Sequence, residues 1–153
     1  EDIELAIETC KKVGNNDITI LKCTSAYPAD PKDANLLSIP DIKSRFGVKV
    51  GLSDHTIGIE APVVATTLGA TVIEKHFILD KSIGGPDAHF SLDEQEFSNM
   101  VKAVRIAEQM MGNNPELKAR MRQMSGQNVS KSESTATKDR LRAKLDAKRA
   151  KSE

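Results

Sequence analysis

The chain has 153 residues, 39% of them hydrophobic but only 3% aromatic, so its core must be aliphatic, and 22 basic residues balance 22 acidic ones. That length suits one ordinary domain. No run approaches the roughly 18 apolar residues of a membrane span, and no basic segment leads into an apolar stretch as in a signal peptide.

Residues 2–13 place Ile3, Leu5, Ala6, Ile7, Cys10 and Val13 near one face at helical spacing, and Gly14-Asn15-Asn16 stops that helix. Ile18 to Cys23 is β-branched and apolar and reads as a strand, closed by the turn-rich Thr24-Ser25-Ala26-Tyr27-Pro28. Asn35 to Phe46 reads as a second helix, with Pro40 near a turn or at the first helical position because it lacks an amide proton. Val48 to Ser53 is the next strand and ends at Asp54-His55-Thr56. A third helix over 60–68 carries Pro62 in its first turn. Thr71 to Phe77 is another strand, followed by the loop Ile83-Gly84-Gly85-Pro86-Asp87. Ser91 is the expected N-cap of a last helix, with Glu94 completing a capping box. That helix runs from about Asp93 to Met111 with Phe97, Met100, Val101, Val104 and Ala107 on one face, and Gly112 ends it.

Helices alternating with short apolar strands predict βα units and a parallel sheet. Three strands cannot close a barrel, and an open three-stranded sheet leaves exposed edges. The pattern therefore predicts part of a larger α/β architecture, either a (β/α)₈ barrel or a doubly wound sheet.

The neutral total charge hides an asymmetry. Residues 1–112 hold 11 Lys and Arg against 17 Asp and Glu, a net of −6, whereas residues 113–153 hold 11 against 5, a net of +6. Residues 122–138 are polar and low in complexity, which predicts disorder. Residues 138–151 are rich in helix formers, with Leu141 and Leu145 as a thin apolar stripe. The expected organisation is thus a globular part over 1–112 and a basic, solvated tail over 113–153, helical at 138–151, with nucleic acid a less favoured partner than solvent. Cys10 and Cys23 lack metal-type or redox spacing and read as reduced thiols of a cytoplasmic protein.

In parallel α/β architectures the reactive groups gather at the carboxyl ends of strands. That rule selects Ser25 and Tyr27 after the first strand, Ser53, Asp54 and His55 after the second, and Glu74, Lys75 and His76 on the third, with Asp87 in the next loop. A lone histidine at a strand end is more often a hydrogen-bonded structural residue than a ligand. Two histidines at equivalent ends of neighbouring strands, beside carboxylates, suit a divalent metal with open positions. Period-2 alternation puts Glu74 and His76 on one face and Lys75 on the other, toward the helices. Inside a barrel Glu74 would be buried, and it would then need a partner. His89 reads as a loop residue. From spacing alone the class is a metal-dependent lyase, aldolase or synthase.

Lys22-Cys23-Thr24-Ser25-Ala26-Tyr27-Pro28, Gly51 through Gly58 (GLSDHTIG), Leu68-Gly69-Ala70, Ile73-Glu74-Lys75-His76-Phe77 and Gly85-Pro86-Asp87 occur in the order found in the sialic acid synthase family. The resemblance runs from about residue 1 to 112. Ala65 to Ala70, Phe77-Ile78-Leu79 and Phe90-Ser91-Leu92 are more similar to the pseudaminate than to the N-acetylneuraminate branch. The resemblance implies the last three or so βα units of a (β/α)₈ TIM barrel. It implies condensation of phosphoenolpyruvate with an N-acetylated amino sugar, a 2,4-diacetamido-2,4,6-trideoxy sugar in the pseudaminate branch. His55 and His76 match the ligands of a divalent metal, Mn²⁺ or Mg²⁺. Glu74, Tyr27 and Asp87 match catalytic positions, and Ser25, Tyr27, Ser53 and Asp87 match positions around the two substrates. Ser25 stands where some neuraminate synthases carry Asn.

The sequence departs from the family in two ways. Only three of eight barrel strands are legible, and 113–153 show none of the antifreeze-like domain that usually follows the barrel. The expectation is a chain inactive by itself, from a parent that forms a homodimer. N-acetylneuraminate or legionaminate synthesis, a different metal-dependent aldolase, and a non-catalytic barrel remnant whose basic tail binds nucleic acid or protein are the alternatives.

Overall fold

The computed structural model describes residues 2–112 and Arg120. The chain divides after Gly112, and the expectations for the tail, including a helix at 138–151, lie outside the described residues. The elements are α1 (Asp2–Lys12), β1 (Thr19–Cys23), α2 (Ser38–Phe46), β2 (Lys49–Asp54), α3 (Glu60–Thr67), β3 (Val72–Lys75) and α4 (Glu94–Met110). Short 3₁₀ turns at Pro31–Asp33 and Lys81–Ile83 lie in the loops after β1 and β3. The fold is α/β, with a parallel sheet in the order β1-β2-β3.

The register fixes which residues share a face. Ile20, Lys22, Val50, Leu52, Asp54, Ile73 and Lys75 alternate with Leu21, Cys23, Gly51, Ser53, Val72 and Glu74 across paired positions. The first set faces the helices. There Ile39 of α2, Val50 and Leu52 of β2 and Ala65 of α3 form the buried core, with Leu36, Ile42, Ala61, Leu68, Ala70 and Ile73 packed around it. β2 is flanked on both sides, so Val50 through Asp54 are all buried, whereas β1 and β3 are partly exposed edges.

Several sequence expectations are corrected here. The apolar stripe of α1 is mostly in water: Ile3 and Leu5 are exposed and only Ile7 is buried. The helix is instead favoured locally by Asp2 and Glu4 in its first turn and Lys11 and Lys12 in its last, matching the helix dipole. α2 begins at Ser38 rather than Asn35. Asn35 adopts φ 45°, outside helical space, and Asp30 caps the preceding 3₁₀ turn by accepting from Lys32 N–H at 3.0 Å. Pro40 sits in the first turn of α2, and Gly47 closes the helix in the left-handed region at φ 64°.

The N-cap of α4 is Asp93, not Ser91. Asp93 accepts from Glu96 N–H at 2.8 Å, and Glu96 accepts from Asp93 N–H at 3.0 Å, a reciprocal capping box. Ser91 and Leu92 cannot start the helix because they are used otherwise. The Ser91 hydroxyl donates to the Asp87 carbonyl at 2.7 Å. Leu92 N–H donates to the His76 carbonyl at 2.9 Å, and the Leu92 carbonyl accepts from Ile78 N–H at 3.0 Å. Among the described residues no helix is long and apolar enough to cross a membrane.

Candidate active site

The candidate residues meet at the carboxyl ends of the three strands. β2 runs directly into His55, which is 6% exposed. His55 Nδ1 lies 3.0 Å from the Thr24 carbonyl. A carbonyl only accepts, so this contact puts a ring proton on Nδ1, and in the neutral tautomer Nε2 carries the lone pair. Cys23 Sγ lies 3.7 Å from the same nitrogen. β3 runs into His76, whose Nδ1 is 3.6 Å from Asp87 Oδ2. The two imidazoles are 5.2 Å apart between ring centroids and inclined at 67°.

Tyr27 leans over this pair, 4.3 Å from the His55 ring and 6.0 Å from the His76 ring. Its peptide bond to Pro28 is cis, and its side chain is exposed at the rim. Phe90 forms the floor: it is buried, 5.0 Å from the His76 ring and 6.1 Å from Tyr27. Ser53 donates to Glu74 Oε1 at 2.6 Å across register partners of β2 and β3, each two residues before one of the histidines. The structure thus brings together Tyr27, Ser53, His55, Glu74, His76 and Asp87. Ser25 stays at the margin, exposed, with its hydroxyl 3.9 Å from Cys23 Sγ. His89 is exposed in the loop and touches only the edge of Phe90, at 5.3 Å between rings.

Two carboxylates stand apart from the histidines in their surroundings. Glu74 is exposed on the open side of the three-stranded sheet, and the burial expected inside a closed barrel is not tested by the described strands. Asp54 does not join the histidines. It lies on the helix face, where Asp54 Oδ2 and Lys75 Nζ pair at 2.7 Å, and both side chains are buried. Lys75 accordingly points toward the helices, as alternation predicts. Phe90 and Cys23 were not among the site residues expected from sequence. The signal for Phe90 was an aromatic residue, scarce in this chain, within an otherwise polar loop.

Could these residues hold a divalent metal? Among the described residues no three His, Cys, Asp or Glu side chains form a cation cage. The two imidazoles do fit as one part of a coordination sphere. They are neighbours, and the Thr24 carbonyl orients His55 from behind as outer partners of metal-bound histidines do. Two imidazole nitrogens do not by themselves select one divalent ion, and oxygen ligands would have to fill the remaining positions.

A family model described as the NeuB family matches residues 1–116. The chain is 56% identical over 104 residues to the pseudaminic acid synthase of Helicobacter pylori, an alignment covering 68% of this chain and 31% of that protein. It is 42% identical over 116 residues to the N,N'-diacetyllegionaminic acid synthase of Legionella pneumophila, covering 73% of this chain and 33% of that protein. Among solved structures it resembles the N-acetylneuraminic acid (sialic acid) synthetase of Leptospira borgpetersenii. That match has a TM-score of 0.69 and 30% identity, over 84% of this chain and 46% of the other. The chain spans about a third of the length of these curated relatives. With a match over most of its length and the strand-end motifs gathered in one place, the chain belongs to the NeuB family.

Proposed function

We propose that this chain forms the C-terminal side of the mouth of a (β/α)₈ barrel that condenses phosphoenolpyruvate with an N-acetylated amino sugar, releasing phosphate and giving a nonulosonic acid such as pseudaminic acid. The observation that carries this reading is the convergence of His55 and His76, 5.2 Å apart, beside Glu74 at the ends of neighbouring parallel strands. The higher identity to the pseudaminic than to the legionaminic acid synthase supports a 2,4-diacetamido-2,4,6-trideoxy sugar as acceptor. The reading places the enzyme in the cytoplasm as a homodimer of a longer parent.

His55 and His76 would hold a Mn²⁺ or Mg²⁺ ion, which supplies Lewis-acid polarisation of the sugar aldehyde. The remaining chemistry falls to the chain itself. C3 of phosphoenolpyruvate bonds to the aldehyde carbon, and positive charge develops at C2. Glu74, held by Ser53, stands ready to stabilise that charge and to orient the water that adds there. Loss of phosphate by C–O cleavage from the tetrahedral carbon completes the turnover. Tyr27 and Phe90 flank the histidines with their ring faces. Asp87, on the loop after β3 and 3.6 Å from His76 Nδ1, would meet the acceptor sugar.

A chimera tests this. Residues 1–112 replace the matching third of the Helicobacter pylori pseudaminic acid synthase, and phosphate release is followed with three acceptors. These are the pseudaminate precursor, its legionaminate isomer and N-acetylmannosamine. The expected result is turnover with the first, a loss of about 10²-fold or more in kcat on Glu74→Gln, and no turnover by the 153-residue chain alone. A folded chimera inert with every acceptor would sink the proposal.

A further inference from the structure

The site described above occupies the open side of the sheet, and directly behind it lies a charged pair to which that chemistry gives no role. Asp54 and Lys75 are register partners on β2 and β3, and each immediately precedes one of the two histidines. Their side chains are 2% and 0% exposed and meet at 2.7 Å. The pair also grips the backbone beyond His55. Asp54 Oδ1 accepts from Thr56 N–H at 2.9 Å, and Lys75 Nζ donates to the Thr56 carbonyl. Both backbone polar groups of the residue after His55 are therefore held by side chains from the two residues that precede His55 and His76. The histidine carbonyls are tied as well, His55 to Ala29 N–H at 2.8 Å and His76 to Leu92 N–H at 2.9 Å.

Stability alone gives little reason for charges at this position. Withdrawing two full charges from water is costly, and a packed apolar pair of similar volume commonly serves a core as well or better. What an ion pair adds is direction. A slip or rotation at either strand end would separate the charges inside the fold, so only one arrangement of the two ends is tolerated.

We infer that Asp54 and Lys75 are positioning residues whose buried pair, acting from the helix face, fixes the separation and orientation of the His55 and His76 imidazoles. This rests on the reading that those two rings work together. The pair lies on the helix face and acts through the backbone of Thr56.

Histidine-labelled full-length chain, observed by NMR, tests the inference without any metal. The wild type is expected to show cross-relaxation between the His55 and His76 rings and between Tyr27 and His55. In the double variant Asp54→Leu, Lys75→Met, the Ile39 and Val50 methyl signals should keep their positions while the His55–His76 cross-peak disappears. Lys75→Arg, which keeps the buried charge and a directed donor, should retain it. A folded double variant with the cross-peak at wild-type intensity overturns the inference. Should the double variant fail to fold, exchange at the Thr56 amide of the wild type decides. Protection matching the amides of β2 supports the grip, and exchange as fast as at Gly85 in the exposed loop refutes it. Mn²⁺ titration separates the two levels. Failure of Mn²⁺ to broaden both wild-type rings removes the metal from the proposed function while the ring-contact test stands. Where wild type binds, the double variant should need about tenfold more Mn²⁺ or worse.

Discussion

The two faces of the small sheet, built from alternate residues of the same strands, have opposite characters. The helix face carries Val50, Leu52 and Ile73 against Ile39 and Ala65, a continuous aliphatic core. The open face carries Gly51, Ser53 and Glu74 and ends in His55 and His76, with Tyr27 and Phe90 against the two rings. One side accounts for the fold, and the other is left free for chemistry. Substitutions should therefore separate cleanly into those that cost stability and those that cost function, with the Asp54–Lys75 pair as the place where the two meet.

The largest effect is expected on the helix face. Ile39 has no exposed surface. Ile39→Ala removes buried methyl groups and leaves a cavity, so unfolding by urea should show a loss of about 2–5 kcal/mol. A loss under about 1 kcal/mol would mean that the aliphatic cluster is not the main support of this region. Next comes a residue on the open face that nonetheless belongs to the framework. A Cβ on Gly51 would come within 2.5 Å of Leu21 Cδ2 and of the Val72 carbonyl. Gly51→Ala must push the strands apart, and the expected cost is about 1–3 kcal/mol. A neutral outcome would show that the open face yields more readily than the helix face.

The smallest effect belongs to the loop that carries Asp87. Its start is held by the Lys81–Glu96 pair at 2.6 Å, which is largely solvated. The Lys81 ammonium and the Asp93 N–H hold the Glu96 carboxyl below its ordinary value of 4.5. A lowered folded value means that the stabilisation is complete above about the ordinary glutamate value and fades as pH falls through the lower folded one. Lys81→Ala should therefore lower the melting temperature slightly at neutral pH and change nothing once Glu96 is protonated. An exposed pair of this kind is worth about 0–1 kcal/mol. Equal shifts at both pH values would show that Lys81 acts through packing rather than charge.

Much of this was legible in the sequence, for identifiable reasons. Element order follows from apolar runs punctuated by Gly and Pro. The placing of Glu74 opposite Lys75 follows from strict alternation in a strand. The failures arose where two local solutions fit equally. Ser91 with Glu94 and Asp93 with Glu96 both satisfy the capping pattern, and only the pairing of Leu92 with His76 and Ile78 decides between them. Asp54 looked like a site carboxylate because it adjoins His55, yet the same alternation that placed Lys75 turns Asp54 to the other face. The burial expected for Glu74 presupposed strands that the described residues do not include. Phe90 reached the site through a loop whose path no periodicity encodes.

Gly84 and Gly85, just before Asp87, have φ of 74° and 124°, and a Cβ on either would meet nothing within 4 Å. The constraint there is on backbone shape and not on room. Ordinary side chains are strained at such dihedrals, but added residues would project into solvent without disturbing the strands. This rim can therefore change more readily by insertion or deletion than by substitution at its two glycines.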